Sequence, residues 1–177
     1  MKKLHLLLVL CLLPVMAWAQ DDTSLSVERL WQLQRIGTPV TSNDGRFIVA
    51  PVTGFDVKAD KGHTRLWLFS ADGKQQTPLT AEGLRASEPV FSPDSNTLAF
   101  ISQRDKDDAG QVYLLSMTKP GEAQRLTQVP TGVHGIKWVG KHLYFISRVW
   151  PGKSWDEMSE QLKADKDKKV SARQWNA

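Results

Sequence analysis

Apolar and polar residues change rhythm twice along this chain. Leu6 to Leu13 is an unbroken apolar run behind Met1-Lys2-Lys3, closed by Pro14. Ala17-Trp18-Ala19 follows and leads into Gln20-Asp21-Asp22. Small residues one and three positions before a cut suit a signal peptidase, so residues 1–19 are expected to be a signal peptide cleaved after Ala19. Leu10 is too large for a lipoprotein site at Cys11, and the run is too short to span a bilayer. The expected destination is the bacterial periplasm or the exterior. The rhythm then turns helical: Ser26 as cap, Glu28 in the first turn, and an apolar stripe of Val27, Leu30, Trp31 and Leu33 predict a short helix over 27–35. Gly37 and Pro39 stop it.

After Pro39 the period shortens to that of strands. Phe47–Ala50, Leu66–Phe69, Leu98–Ser102, Val112–Ser116, Ile136–Val139 and Leu143–Ser147 are apolar runs separated by turn residues. A tight Asp72-Gly73 hairpin turn follows the second, and Gly140-Lys141 joins the last pair. No helical crossover separates them, so the expected class is all-β. The runs also repeat. Pro39 to Phe47 matches Pro89 to Thr97, and Leu79-Thr80 matches Leu126-Thr127. A third unit opens at Trp138. Such a period is that of a β-propeller blade. Units of about 39–80, 89–127 and 136–177 predict two blades and part of a third, after an N-terminal segment over 20–38. A ring needs more blades, so the expectation is an incomplete propeller, a fragment. Beyond Trp150-Pro151-Gly152, Ser154 and Glu157 form a capping box, with Met158 and Leu162 one turn apart, which predicts a short surface helix. Val170–Trp175 reads as the start of another strand.

Charge and cysteine usage narrow the function. The 177 residues carry 23 Lys+Arg against 19 Asp+Glu. That near balance gives no electrostatic footprint for nucleic acid, and no apolar run after the leader is long enough for stable membrane insertion. The single cysteine, Cys11, lies in the leader, so the mature chain is expected to hold no disulfide and no thiolate site. His63, His134 and His142 lie in separate turns without metal-ligand spacing. Ser42 and Asp44, like Ser92 and Asp94, recur at one place in the repeat and read as turn construction. Asp105, Asp107 and Asp108 read as a solvated hairpin loop, without the spacing of a calcium loop. Trp67, Tyr113, Trp138 and Tyr144 sit inside strands and read as core or contacts between blades.

The residues of the repeat carry a resemblance. Pro89-Val90-Phe91-Ser92-Pro93-Asp94-Ser95-Asn96-Thr97-Leu98-Ala99-Phe100, with Gln111-Val112-Tyr113-Leu114-Leu115 and Gly121 to Thr127, resembles the TolB-like, or WD40-like, propeller repeat. Together with the leader, the short helix, Gly37-Thr38-Pro39 before Ser42-Asn43-Asp44-Gly45, and Ser147-Arg148-Val149-Trp150-Pro151, the chain resembles the N-terminus of prolyl-oligopeptidase-family (S9) serine peptidases. The likeness is to acylaminoacyl-peptidase and dipeptidyl-peptidase-like bacterial members. Asn43 stands where the pattern has Pro, Ser95 where it has Gly, and the third unit lacks Ser-Pro-Asp.

The resemblance implies a propeller that gates peptide substrates by size, next to a C-terminal α/β-hydrolase domain holding a Ser-Asp-His triad. This sequence contains no Gly-x-Ser-x-Gly nucleophile elbow. No catalytic, cofactor-binding or metal residue is therefore assigned, no cofactor is expected, and the chain alone is expected to be inactive. Peptide substrates are its expected partners, through that hydrolase domain. The competing expectation is a TolB-like periplasmic propeller that binds protein partners.

Overall fold

The computed structural model describes residues 25–104 and 107–167. The leader with Cys11, Asp105, and the strand expected over Val170–Trp175 lie outside them. The chain divides into two units, Met1–Leu30 and Trp31–Ala177. In the first, Ser26 caps a helix: its Oγ accepts from Arg29 N at 3.2 Å and its carbonyl from Leu30 N at 3.0 Å.

That helix, α1, spans Val27–Gln32 and buries no side chain. It is shorter than the stripe over 27–35 predicts. Arg35–Ile36 forms a strand, β1, instead, paired with Thr53 and Val52. So short a helix has little cooperative support, and the backbone of residues 35–37 finds partners on a sheet; Gly37 N donates to Pro51 O at 2.7 Å.

The rest is sheet, all of its strand pairs antiparallel. The first sheet holds β1, β2 (Val40–Thr41), β3 (Phe47–Asp56), β4 (Lys61–Ser70) and β5 (Gln76–Pro78). Strands β3 and β4 run ten residues each, well beyond their apolar centres. Pro51, Gly54 and Gly62 conceal that length in the sequence, since Pro and Gly ordinarily weaken strands. The second sheet is a meander of β6 (Arg85–Phe91), β7 (Thr97–Gln103), β8 (Gln111–Ser116) and β9 (Gln124–Arg125). The third is the hairpin of β10 (His134–Val139) and β11 (His142–Ile146), followed by helix α2 (Trp155–Asp167).

Side chains alternate between the two faces of a strand, and this alternation stacks the sheets. Leu98, Phe100, Tyr113 and Leu115 of the second sheet meet Val49 and Leu66 of the first. Ala99, Ile101 and Val112, on its other face, meet Val133 and Ile136, with Trp138 and Leu143 half-buried against them. Trp67 is half-buried as well, whereas Tyr144 is 57% exposed. Tyr144, expected in the core or in a contact between blades, is not in the core, and the face it occupies has no described neighbour.

The second and third sheets share a further detail. The β6–β7 register shifts between Ser87 and Val90, and the β10–β11 register shifts between His134 and Lys137. Each bulge holds a residue of positive φ, Glu88 at 49° and Gly135 at 60°. The Glu88 carboxylate accepts from Gly135 N at 2.7 Å and so ties one bulge to the next.

Candidate functional site

The antiparallel order puts the β2–β3, β4–β5 and β6–β7 turns at one end of the stack and the β3–β4, β7–β8 and β9–β10 connections at the other. The turn end is built from one device used three times. Ser42 Oγ donates to Asp44 Oδ1 at 2.7 Å, Ser70 Oγ to Asp72 Oδ1 at 2.6 Å and Ser92 Oγ to Asp94 Oδ1 at 2.6 Å. Each hydroxyl also accepts a backbone N–H five residues on, from Phe47, Gln75 and Thr97. Each carboxylate accepts the N–H two residues on, from Arg46, Lys74 and Asn96. These bonds favour the ionised carboxylates. The Ser42 hydroxyl and the Arg46 N–H bring Asp44 down to about 2, and Asp72 and Asp94 are lowered by their own serine and backbone donors. The serines are thus committed to turns. The Ser70 copy turns the expected tight Asp72-Gly73 hairpin into a wider loop, closed by Ser70 N to Gln75 O at 3.0 Å. Its signal was in the sequence, since Ser70-Ala71-Asp72-Gly73 repeats Ser42-Asn43-Asp44-Gly45.

The two departures from the repeat pattern meet here. Asn43 Nδ2 donates to Pro93 O at 2.9 Å, and Ser95 Oγ accepts from Asp44 N at 3.2 Å. The turns of adjacent sheets are thereby joined to each other.

The opposite end carries the candidate site, a cleft of about 410 Å³ between the β7–β8 hairpin, the β9–β10 connection and α2. Its floor is a buried polar network. The Asp107 side chain is 1% exposed. It accepts from the Tyr113 hydroxyl at 2.6 Å, from Arg125 Nη1 at 2.7 Å and from Arg104 N at 3.2 Å. Burial alone pushes the Asp107 pKa up, but these donors outweigh it and hold the carboxyl below its usual range. Burial, together with the Asp107 carboxylate, raises Tyr113 to about 12. The Arg104 guanidinium lies 4.3 Å over the Tyr113 ring. The solvated loop expected for this acidic run is therefore corrected at Asp107: Tyr113, six residues on, and Arg125, 18 residues on, compensate its burial.

Gln111 is the second anchor. Its Oε1 accepts from Thr127 Oγ1 and Val129 N, both at 2.9 Å, and its Nε2 donates to Val129 O at 2.8 Å. One buried amide thus pins the β9–β10 connection to β8. The roof is α2, where Ser154 and Glu157 form a reciprocal cap at 2.7 and 3.3 Å. Lys166 reaches back to Asp108 Oδ1 at 3.0 Å and lowers that carboxyl's pKa. Asp156 and the half-exposed Trp155 face the opening.

The histidines do not converge: His63 is on β4, His134 on β10 and His142 on β11. Among the described residues, no three His, Cys, Asp or Glu are grouped to hold a metal, and no helix is long and apolar enough to cross a membrane. What the cleft offers is a rigid polar floor, hydrogen-bonding amides and carboxylates, and one aromatic edge.

No family model matches the chain. It is 30% identical over 114 residues, 64% of its length, to an uncharacterized peptidase, YuxL, of Bacillus subtilis, and covers 17% of that protein. It is 26% identical over 132 residues, 73% of its length, to dipeptidyl-peptidase 5 of Porphyromonas endodontalis, covering 18% of it. The chain thus spans less than a fifth of the length of these relatives. Its fold is similar to the β-propeller domain of the Trilobed protease of Pyrococcus furiosus, with TM-score 0.52 at 14% identity, over 64% of this chain and 34% of that one. The class is thus a mostly-sheet, propeller-type fold with peptidases as relatives. Those relatives are of the prolyl-oligopeptidase (S9) family.

Proposed function

We propose that this chain is the N-terminal propeller portion of an exported serine peptidase, and that it gates peptide access to a catalytic domain carried elsewhere in the whole protein. In this reading the three sheets are two blades and part of a third of an incomplete propeller, and residues 1–19 direct export to the periplasm or the exterior. The parent hydrolyses peptides or acylated and aminoacyl peptides. The observation that carries the proposal is the repeated stacking of sheets in a chain whose relatives are peptidases several times its length. Acyl transfer needs an activated nucleophile, a base and oxyanion donors within hydrogen-bond reach, whereas the serines of the repeat turns donate to turn carboxylates.

The test is an assay of the purified chain with chromogenic aminoacyl and acylaminoacyl substrates, alongside a serine-reactive fluorophosphonate probe. The chain is expected to give neither turnover nor labelling. Turnover that vanishes on mutating one of its own serines would overturn the division of labour. A downstream reading frame without Gly-x-Ser-x-Gly would favour a protein-binding propeller instead.

A further inference from the structure

We propose that residues 150–167 form a hinged lid over the cleft, held shut by an exposed latch between Lys166 and Asp108. Little holds α2 down. A helix that serves the fold lays an apolar stripe on its neighbours. Among residues 155–166 only Met158 is buried, and Trp155 is 47% exposed. The Met158 sulfur accepts from Trp150 N at 3.5 Å, which ties the helix to its own lead-in. Among the described residues no Cα of α2 lies within 8 Å of a strand. The helix rests instead on the β7–β8 and β9–β10 connections, and the seat is hollow. The cleft of about 410 Å³ lies under its first turns. A second cavity of about 140 Å³ lies under its later turns, against Ala109, Pro130, Thr131, Leu162 and Lys166. Packed interiors leave few voids larger than a water molecule, so α2 covers the cleft without filling it.

The two ends of this lid differ in kind. At the near end the β9–β10 connection holds the chain as far as Arg148. Ser147 Oγ donates to Gly132 O and Thr131 Oγ1 to Arg148 O, both at 2.7 Å. From Trp150 onward the chain bonds to itself. Lys153 N donates to Trp150 O at 3.2 Å, Lys153 Nζ to Gln161 Oε1 at 3.1 Å, and Ser154 N to Glu157 Oε2 at 2.7 Å. Val149, between the two sets, is 64% exposed and is the hinge. At the far end Lys166 Nζ meets Asp108 Oδ1 at 3.0 Å, with side chains 60% and 64% exposed. An ion pair that open to water is weak and is screened by salt. The helix is about 20 Å long, so a small rotation at Val149 separates the latch and uncovers the Asp107, Gln111 and Arg125 floor. The lid is independent of the peptidase reading, because it rests on the helix and the cleft alone.

The experiment measures a distance by double electron–electron resonance in the full chain, in a Cys11→Ser background. Spin labels are placed on Gln124→Cys in β9 and Glu160→Cys in α2, both exposed positions. At low ionic strength the short, closed distance is expected to dominate. At about 1 M salt a longer distance is expected to gain population, because the Debye length falls to about 3 Å. Lys166→Ala is expected to raise the open fraction about threefold at low salt and to remove most of the salt effect. Lys166→Arg keeps the latch and is expected to follow the wild type. Hydrogen exchange of the α2 amides is expected to stay unchanged, because the lid swings as a body. One short distance at every ionic strength, in Lys166→Ala as in the wild type, overturns the proposal, the helix then being fixed by packing or by residues beyond 167. Amides that lose protection in step with the distance change also overturn it, since the helix then melts rather than swings. A long distance that answers neither to salt nor to Lys166 overturns the latch.

Discussion

The second and third sheets answer to the same repeat, yet one is buried on both faces and the other on one. Ile101 is 8% exposed between the second and third sheets, while Ile146, at the equivalent position in β11, is 57% exposed. Residue type does not separate them, because both are isoleucines on hairpin strands. The difference is made by neighbours. Burial in a stacked-sheet protein belongs to the interface between sheets, so the stability of each sheet depends on how many faces are covered.

The sharpest way to break this comparison is to truncate the matched pair. Ile101→Ala is expected to cost about 3 kcal/mol, as a transfer loss with a cavity among Val112, Val133 and Ile136. Ile146→Ala is expected to cost about 1 kcal/mol, since much of that side chain already meets water. Urea unfolding followed by tryptophan fluorescence reads both. Equal losses would mean that the outer face of the third sheet is covered in solution.

The next effect concerns the network that only the second sheet possesses. Asp107→Ala leaves the Tyr113 hydroxyl and Arg125 without their acceptor, at an expected cost of about 2 kcal/mol. The pH dependence has a definite sign. The folded pKa of Asp107 lies below its unfolded value, so the carboxylate binds fewer protons when folded. Its stabilisation is complete above the unfolded pKa and is lost as pH falls through the folded one. Wild type is therefore expected to lose more stability than Asp107→Ala on titration from neutrality to below the ordinary carboxylate range. Parallel curves would show that the network does not hold the charge.

A smaller effect tests the tie between the two bulges. Glu88→Ala removes the acceptor for Gly135 N, and the exposed site limits the expected cost to about 1 kcal/mol. Hydrogen exchange is expected to accelerate in β10 and β11 and to stay unchanged in β3 and β4. Uniform acceleration would mean that the stack opens as one unit.

Much of this was legible in the sequence, for a physical reason. Strand centres such as Leu98–Ser102 and the Ser-x-Asp turns depend on residues near in sequence, and repetition exposes them. What stayed hidden depends on distant partners. The burial of Asp107 is compensated by Arg125, 18 positions away, and the Glu88 tie spans 47. The fate of Arg35–Ile36 was decided by pairing with β3 rather than by its own helical stripe. The cleft was invisible because Asp107, Gln111 and Trp155 come together only when α2 folds back on the β7–β8 hairpin. The burial state of Tyr144 depends on a neighbour that its own pattern does not encode.

The smallest expected effect comes from Ser95, where two terms oppose each other. Ser95 holds a φ of 60°, the left-handed region that glycine occupies in the other two turns, with Gly45 at 72° and Gly73 at 71°. Relieving that strain with Ser95→Gly gains about 1 kcal/mol. The same change removes the acceptor for Asp44 N, one of the two bonds between the turns of the first two sheets, which costs about 1 kcal/mol. The net change is expected to fall within about 0.5 kcal/mol of zero. Ser95→Ala keeps the strain and loses the bond, so it is expected to destabilise by about 1 kcal/mol. Thermal unfolding of the two variants separates the terms, because their difference isolates the backbone strain. If Ser95→Gly proves as damaging as Ser95→Ala, the strain is negligible and the hydroxyl alone explains the residue. If Ser95→Gly is clearly stabilising, the Ser95 bond contributes nothing, and the turns of the first two sheets are joined by Asn43 and Pro93 alone.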